Sequence, residues 1–343
     1  MNHSSFTDAY HSLFRRVNNH YEFEAAPRGQ KIKESLGVRF EISNPRDRIP
    51  FLPERKWSLS YFVAETLWYL AGDNSTEWIS RYAPFWRDIS DDGLTANSAY
   101  GSRIFVPHDR ICASVDPMWN QWDYVKSELN NDRDSRRAVI HIRSPQDSIL
   151  AKKDVPCTLS LQFFIRDEAL HQVVSMRSSD VVLGISYDVP IFTMFQELLA
   201  LELGVKLGKY IHISNSLHLY ERHYDMADKI EKRMQDIDIR ATSGPITYDP
   251  CFYPAMNKML GKPNIREIKS LVDHWNQESD VTRLLSTLPR VKSDFDSYWA
   301  DFCLVMLHHR LKTLTKGQEQ SKAVLHSVES AIKDEAFSFH IAA

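Results

Sequence analysis

The sequence predicts a mixed α/β (α+β) protein, a sheet flanked by helices and followed by a helical C-terminal extension. Three observations carry that expectation. Residues 157–167 and 170–177 alternate apolar and polar side chains about a turn at Asp167-Glu168, the pattern of a β-hairpin. Residues 57–71 and 189–204 are apolar at helical spacing, and each run meets a glycine, Gly72 or Gly204, where a helix C-terminus wants one. Beyond about residue 235 the texture changes to a loop marked by Pro245, Pro250 and Pro254. Helical patterns then follow at 264–275, 279–287, 292–315 and 319–334. The expected organisation is a core over residues 1–234 and a helical extension over 235–343 packed on it.

The elements follow in order. Residues 7–20 place Tyr10, Leu13, Phe14 and Val17 on one helical face. Ala26-Pro27-Arg28-Gly29-Gln30 is a loop by its proline and glycine, and residues 37–42 alternate as a strand. The helix over 57–71 contains Glu65, which stands either on an exposed face or buried for a purpose. Ser75-Thr76-Glu77-Trp78 opens a region that also holds Trp86 and Asn97-Ser98-Ala99-Tyr100-Gly101. Residues 118–130 read as helix. Asp134-Ser135-Arg136-Arg137 precedes a β run at 138–142. Adjacent arginines there serve either a solvated turn or an anion clamp, because guanidinium forks match phosphate oxygens. Residues 209–214 read as a strand and 217–232 as a helix. Within 292–315, Phe295, Trp299, Phe302 and Met306 form a stripe whose spacing fits core packing better than a partner face.

Composition bounds the function. The chain has 343 residues, is 43% hydrophobic and 25% charged, and has a formal net charge of -3. That balance is ordinary for a globular protein and gives no bulk attraction for nucleic acid, so any phosphate must be met by a local arginine cluster. Cys112, Cys157, Cys251 and Cys303 are far apart with no CxxC pair. This argues against a zinc site or disulfide scaffold and favours a reducing compartment. The N-terminal residues are polar, and no apolar run approaches the roughly 20 residues that cross a bilayer. A cytoplasmic protein with no metal and no membrane partner is the expectation.

The chemistry concentrates between Pro156-Cys157 and Asp188, with a later contribution from His218 and Tyr220. A thiol beside a cation is shifted toward thiolate and activated as a nucleophile. Arg177 and Ser178, with Arg136 and Arg137, suit a phosphate dianion. Asp188, after the Leu183-Gly184 turn, suits a ring amino group, and His218 and Tyr220 suit a sugar hydroxyl. Together they describe a nucleotide whose base is attacked covalently. A Cys-His protease needs a histidine poised on the thiol, and no spacing singles one out.

Pro156-Cys157, Gln162-Phe163, Arg177-Ser178-x-Asp180, Leu183-Gly184 and His218-x-Tyr220 resemble the signature of the thymidylate synthase family. Glu65-x-Leu67-Trp68, Trp86, Tyr100-Gly101 and Asp134-Ser135-Arg136-Arg137 fall in the family's order, so the resemblance covers roughly residues 25–230. It implies a thymidylate-synthase-like mixed sheet. It implies Cys157 as nucleophile, Arg28 and Arg177 on phosphate from one subunit, and Arg136 and Arg137 reaching across from the other subunit of a homodimer. Gln162, Ser178, His218 and Tyr220 would also contact the nucleotide. Trp86, Tyr100, Asp180 and Gly184 would hold the co-substrate 5,10-methylenetetrahydrofolate, and Glu65 would organise water and proton transfer.

The departures point further. Ser186-Tyr187-Asp188 replaces a Pro-Phe-Asn segment, Thr158 replaces a histidine, and Ser216-Leu217-His218 replaces Asp-Thr-His. All three resemble the phage deoxycytidylate hydroxymethylase branch. An amide offers one donor and one acceptor and so satisfies uracil's O4 and N3–H. An ionised aspartate is acceptor-only, which suits the amino group of cytosine and a transiently protonated N3. The expected activity is 5-hydroxymethylation of dCMP, with CMP possible. Two alternatives stand beside it: a methylating synthase on the same scaffold, and a catalytically silent nucleotide-binding homologue.

Overall fold

The computed structural model describes residues 1–50, 53–107, 119–149, 152–242, 265–295 and 297–333, with Phe337 and Ile341. The loop prolines 245, 250 and 254, with Cys112 and Cys251, lie outside the described residues. The strands are β1 (Asn2–His3), β2 (Phe23–Ala25), β3 (Ile32–Ile42), β4 (Val139–His141), β5 (Thr158–Arg166), β6 (Ala169–Met176), β7 (Ser179–Asp180) and β8 (Lys206–Tyr220). The helices begin with α1 (Phe6–Asn19), α2 (Leu59–Leu70), α3 (Thr76–Ile79), α4 (Phe85–Ile89), α5 (Tyr100–Phe105), α6 (Gln121–Asn131), α7 (Gln146–Ile149), α8 (Ile185–Leu203) and α9 (Tyr224–Thr242). The C-terminal helices are α10 (Ile265–Gln277), α11 (Val281–Ser286), α12 (Leu288–Asp294), α13 (Ser297–Leu314) and α14 (Ser321–Glu329).

These elements form two compact units, Met1–Trp57 with Val106–Phe252, and Ser58–Phe105 with Tyr253–Ala343. The division cuts the chain differently from a boundary at 234/235, because α2 to α5 group with the C-terminal helices.

The first unit is built on one sheet of order β1-β3-β8-β6-β5-β4, with β2 added to β3 and β7 to β8. It is mixed: β3/β8, β6/β5 and β5/β4 are antiparallel, and β8/β6 is parallel. The predicted hairpin forms at β5–β6, with Asp167 and Glu168 at φ 51 and 56, the left-handed pair that a tight two-residue turn requires. Helix α1 starts where Ser5 accepts from the Asp8 amide at 3.1 Å and buries Tyr10, Leu13, Phe14 and Val17 as its period demands.

Two expectations in this unit are corrected. Residues 217–220 are strand, not helix, and the helix begins only at Tyr224. Leu217, His218 and Leu219 are all buried, so the period-2 signal that marks a strand is missing from a strand covered on both faces. Helix α8 begins at Ile185 rather than 189, with Pro190 inside it. Proline there removes the amide that would bond the Ser186 carbonyl. The Trp57 indole takes its place, donating to Ser186 O at 2.9 Å.

The second unit is helical. Helix α2 packs against α13, α10, α5 and α3, with Phe62 edge-on to Phe302 at 6.2 Å between ring centroids. It ends as predicted: Gly72 adopts φ 67, its amide bonds Tyr69 O at 2.9 Å, and the Asp73 amide bonds Trp68 O at 3.2 Å. Gly101 in α5 lies so close to α2 that a Cβ would stand 2.0 Å from Tyr69 O. Only glycine allows that approach. The predicted helix over 292–315 is two helices, broken at an extended Phe295. Trp299, Phe302 and Met306 of the stripe are buried, as core packing requires.

Candidate active site

Cys157 stands immediately before β5, and the β5/β6 register slips between Thr158 and Ser160, a bulge placed directly after the thiol. The loop carrying it is held by Arg177. The Arg177 amide donates to Cys157 O at 2.8 Å, and its side chain donates from Nε to Pro156 O at 2.9 Å. Nη2 donates to Val155 O at 2.8 Å, and Nη1 to Ser178 Oγ at 3.1 Å. Of the five N–H donors on a guanidinium, three are engaged, one per nitrogen, which leaves two for an anion. Ser178 Oγ lies 3.6 Å from Cys157 Sγ and donates to it.

Burial is the largest influence on the thiol and pushes it above the ordinary cysteine range. The Arg177 charge and the Ser178 hydroxyl pull it down, and the carboxylates of Asp188 and Asp154 push it up again. The neighbouring cation therefore does not win in the free protein, contrary to the expectation of a ready thiolate. Desolvation disfavours the charged form more than one partly engaged guanidinium favours it.

Asp188 lies in the first turn of α8, where the helix dipole favours a carboxylate. Its amide bonds Gly184 O at 3.0 Å, and a Cβ on Gly184 would stand 3.4 Å from its Oδ2. Asp180 caps the preceding turn, its Oδ1 accepting from the Val182 amide at 2.8 Å and the Leu183 amide at 3.2 Å. β7 and β8 run side by side with Asp180 opposite His218. His218 is buried, and burial lowers its pKa, leaving a neutral ring edge-on to Tyr220 at 5.0 Å. The Arg222 guanidinium covers the Tyr220 ring at 3.9 Å. Cys157, Arg177, Ser178, Asp180, Gly184, Asp188 and His218 are thus brought together.

The other expected anion ligands stand in separate groups. Gln162 on β5 donates to Arg136 O at 2.9 Å. Arg136 is exposed with no ion pair among the described residues, whereas Arg137 pairs with Glu128 at 2.9 Å. Arg28 is exposed at φ 53, ψ 32, a strained conformation for a residue with a Cβ.

In the second unit three expected residues meet. Glu65 is only 5% exposed. Its carboxyl accepts from Tyr69 Oη at 3.0 Å and from Tyr61. Burial pushes it up to about 7 against the pull of those two hydroxyls. Trp86 Nε1 donates to Tyr61 Oη at 3.1 Å, and Tyr100 stacks on Tyr69 at 5.3 Å. Of the two sequence readings of Glu65, the buried one holds. Tyr61 and Tyr69 were missed because they sit in an apolar run, yet with Glu65 they fall four apart on one helical face, and that spacing was the available signal.

Comparisons with known proteins give the family and the fold. The thymidylate synthase family model matches residues 8–241. The chain belongs to the thymidylate synthase family. Its fold is similar to that of the thermostable thymidylate synthase A from Bacillus subtilis, with a TM-score of 0.53 and 22% identity over 65% of this chain and 82% of that one. Among curated relatives, the deoxyuridylate hydroxymethyltransferase of Bacillus phage SP01 is 32% identical over 65% of this chain and 60% of its own length. That of Delftia phage PhiW-14 is 31% identical over 58% and 56%, and that of Pseudomonas phage M6 is 30% identical over 60% and 56%. The chain spans less than two thirds of the length of these relatives. For this member of the thymidylate synthase family, no helix among the described residues is long and apolar enough to cross a membrane. No group of metal-ligating side chains is gathered among them either.

Proposed function

We propose that this chain carries out folate-dependent 5-hydroxymethylation of a cytidine nucleotide, with dCMP favoured and CMP possible. The carrying observation is Asp188. It is a carboxylate set in the first turn of α8, close enough to Cys157 to act on the thiol's charge, at a position where the family signature has an amide. Ionised, it accepts from the 4-amino group of cytosine and meets O4 of uracil lone pair to lone pair. Leaving a partner unpaired in a buried site costs about 1–3 kcal/mol, roughly ten- to a hundred-fold in preference.

The residues divide the chemistry. Cys157 adds to C6 of the base, and C5 becomes nucleophilic as electrons move toward N3, where Asp188 supports the incoming proton. Methylenetetrahydrofolate supplies the one-carbon unit at the oxidation level of formaldehyde. Asp180 and Gly184, with Trp86 and Tyr100, are the residues assigned to hold it; a side chain at Gly184 would begin 3.4 Å from Asp188 Oδ2. Glu65 is assigned to take the proton from C5 and to deliver water, since a carboxyl near 7 exchanges protons readily at neutral pH. Tetrahydrofolate would be released as the CH2 passes to C5, water would add to that carbon, and Cys157 would leave C6, so that the base has gained CH2O. Arg177 with Arg28 would hold the phosphate, joined by Arg136 and Arg137 of a second subunit, while Gln162, Ser178, His218 and Tyr220 orient the nucleoside. The half-exposed apolar row Val173, Ile211 and Ile213 on one sheet face supports such a homodimer, because the buried row Val174 and His212 lies on the other face.

A second reading follows the relatives' names, which give deoxyuridylate as substrate. A protonated Asp188 presents one donor and one acceptor, as an amide does, and would accept uracil. The two readings separate by mass spectrometry of products from dCMP, CMP and dUMP with methylenetetrahydrofolate. A gain of CH2O on dCMP or CMP supports the proposal. The same gain on dUMP alone, rising as pH falls, supports the protonated Asp188. A gain of CH2 moves the assignment to a methylating synthase, and no product with any substrate sinks catalysis. Cys157→Ala is expected to abolish turnover and retain nucleotide binding. Asp188→Asn is expected to move preference from dCMP toward dUMP by ten-fold or more.

A further inference from the structure

Glu65 is the lone carboxylate of an otherwise apolar α2, and its surroundings define the direction of every proton near it. An indole N–H is donor-only, so at Trp86 the Tyr61 oxygen must accept. Tyr61 has one proton, and with its oxygen engaged by the indole that proton is directed to Glu65. Tyr69 donates its own proton to Glu65 Oε1 at 3.0 Å, and its ring is held between Trp68 at 5.3 Å and Tyr100 at 5.3 Å. We propose that Tyr61 and Tyr69 are paired positioning residues that set the proton affinity of Glu65, with Trp86 fixing the direction of the Tyr61 proton. The pair rests on the role assigned to Glu65 above and goes beyond it, because neither tyrosine belongs to the motifs that carried the family resemblance.

The physical case is one of opposed terms. Burial favours the neutral carboxyl, and each hydroxyl favours the carboxylate. The influences on the carboxyl are burial and the two tyrosine hydroxyls, with no charged side chain among them; Trp86 of α4 and Tyr100 of α5, which bear on those tyrosines, are uncharged. Two neutral donors can therefore move the carboxyl in steps of about one pH unit each, without placing a fixed charge in the apolar helix packing.

The test is the pH profile of kcat/KM for wild type, Tyr61→Phe, Tyr69→Phe and Trp86→Phe. Each tyrosine variant is expected to move the limb assigned to Glu65 upward by about one pH unit, with KM for the nucleotide changed less than two-fold. Trp86→Phe is expected to move it less, since Tyr61 keeps its hydroxyl. Tyr82→Phe serves as control; Tyr82 is a half-buried tyrosine of the same unit that accepts from Asn276 at 3.1 Å, and its loss is expected to leave the limb in place. A limb that stays where it is in both tyrosine variants overturns the proposal. If the protein turns over no nucleotide, the carboxyl is titrated directly by infrared difference between wild type and Glu65→Gln. The same upward shift then supports the positioning pair, and an unmoved carboxyl sinks it, whatever becomes of the functional reading.

Discussion

Cys157 is under opposing influences, burial the largest of them, and their balance is open to measurement. Burial, Asp188 and Asp154 raise its pKa, while Arg177 and Ser178 lower it. Iodoacetamide alkylation, with Cys157→Ala as blank, is expected to show an inflection above that of a free cysteine. Asp188→Asn is expected to move the inflection down by removing a negative charge, and Ser178→Ala to move it up. An inflection that follows neither change means that burial alone sets the thiol. Glu65 gives a second residue-scale expectation. Its carboxyl holds a proton up to about pH 7 when folded, against an ordinary value of 4.5. The folded state thus binds the extra proton between those values, and stability falls as pH rises through that window. Relative to wild type, Glu65→Gln is expected to gain stability from pH 4 to pH 8, by on the order of 3 kcal/mol in urea titrations. The sequence could show that these two residues were chemically unusual. It could not show the sign of the thiol shift, because burial is a property of the fold.

Helix α8 shows how an element boundary places a functional side chain. Pro190 marks residue 189 as a natural start, yet the helix begins four residues earlier and takes Asp188 into its first turn. The Trp57 indole makes this possible by bonding the carbonyl that proline leaves open, and its ring stacks on Tyr187 at 5.4 Å. Trp57→Phe is expected to cost about 1–3 kcal/mol by leaving a buried carbonyl unpaired. Adding Pro190→Ala returns an amide to Ser186 O and is expected to recover much of that loss. If the double variant is no more stable than the single one, the indole acts through packing alone. Local patterns revealed α1, the β5–β6 hairpin and the glycine end of α2, because each is determined by neighbours in sequence. The end of β8 was misread because its sheet neighbours there, β3 and β7, are remote in sequence, and because burial of Leu217, His218 and Leu219 together removes the alternation that marks a strand. Likewise, the Tyr61-Glu65-Tyr69 spacing was visible, but only packing shows that the face is buried and that Trp86 closes it.

At the scale of the whole molecule, the C-terminal helices acquire a reason that their sequence lacked. Helices α10 and α13 pack on α2, the helix that carries Glu65, so under the proposed function their packing bears on that carboxyl. Phe302 is the contact to break: it is fully buried, meets Phe62 of α2 at 6.2 Å and Phe337 at 5.6 Å, and lies among Tyr298 and Trp299. Phe302→Ala leaves a cavity that close-packed neighbours fill poorly, which costs about 3–5 kcal/mol. Loosened packing under α2 also frees the ring and hydroxyl of Tyr69 and Tyr61 to shift against Glu65. The expected result is a large loss of stability in urea together with a fall in kcat. The thiol of Cys157, held by residues of the first unit alone, keeps its alkylation profile under conditions where the variant is folded. Loss of both properties together in the folded variant would mean that the two units share a single cooperative response. Retention of full kcat would mean that Glu65 is positioned by α2 itself and owes nothing to the helices beneath it.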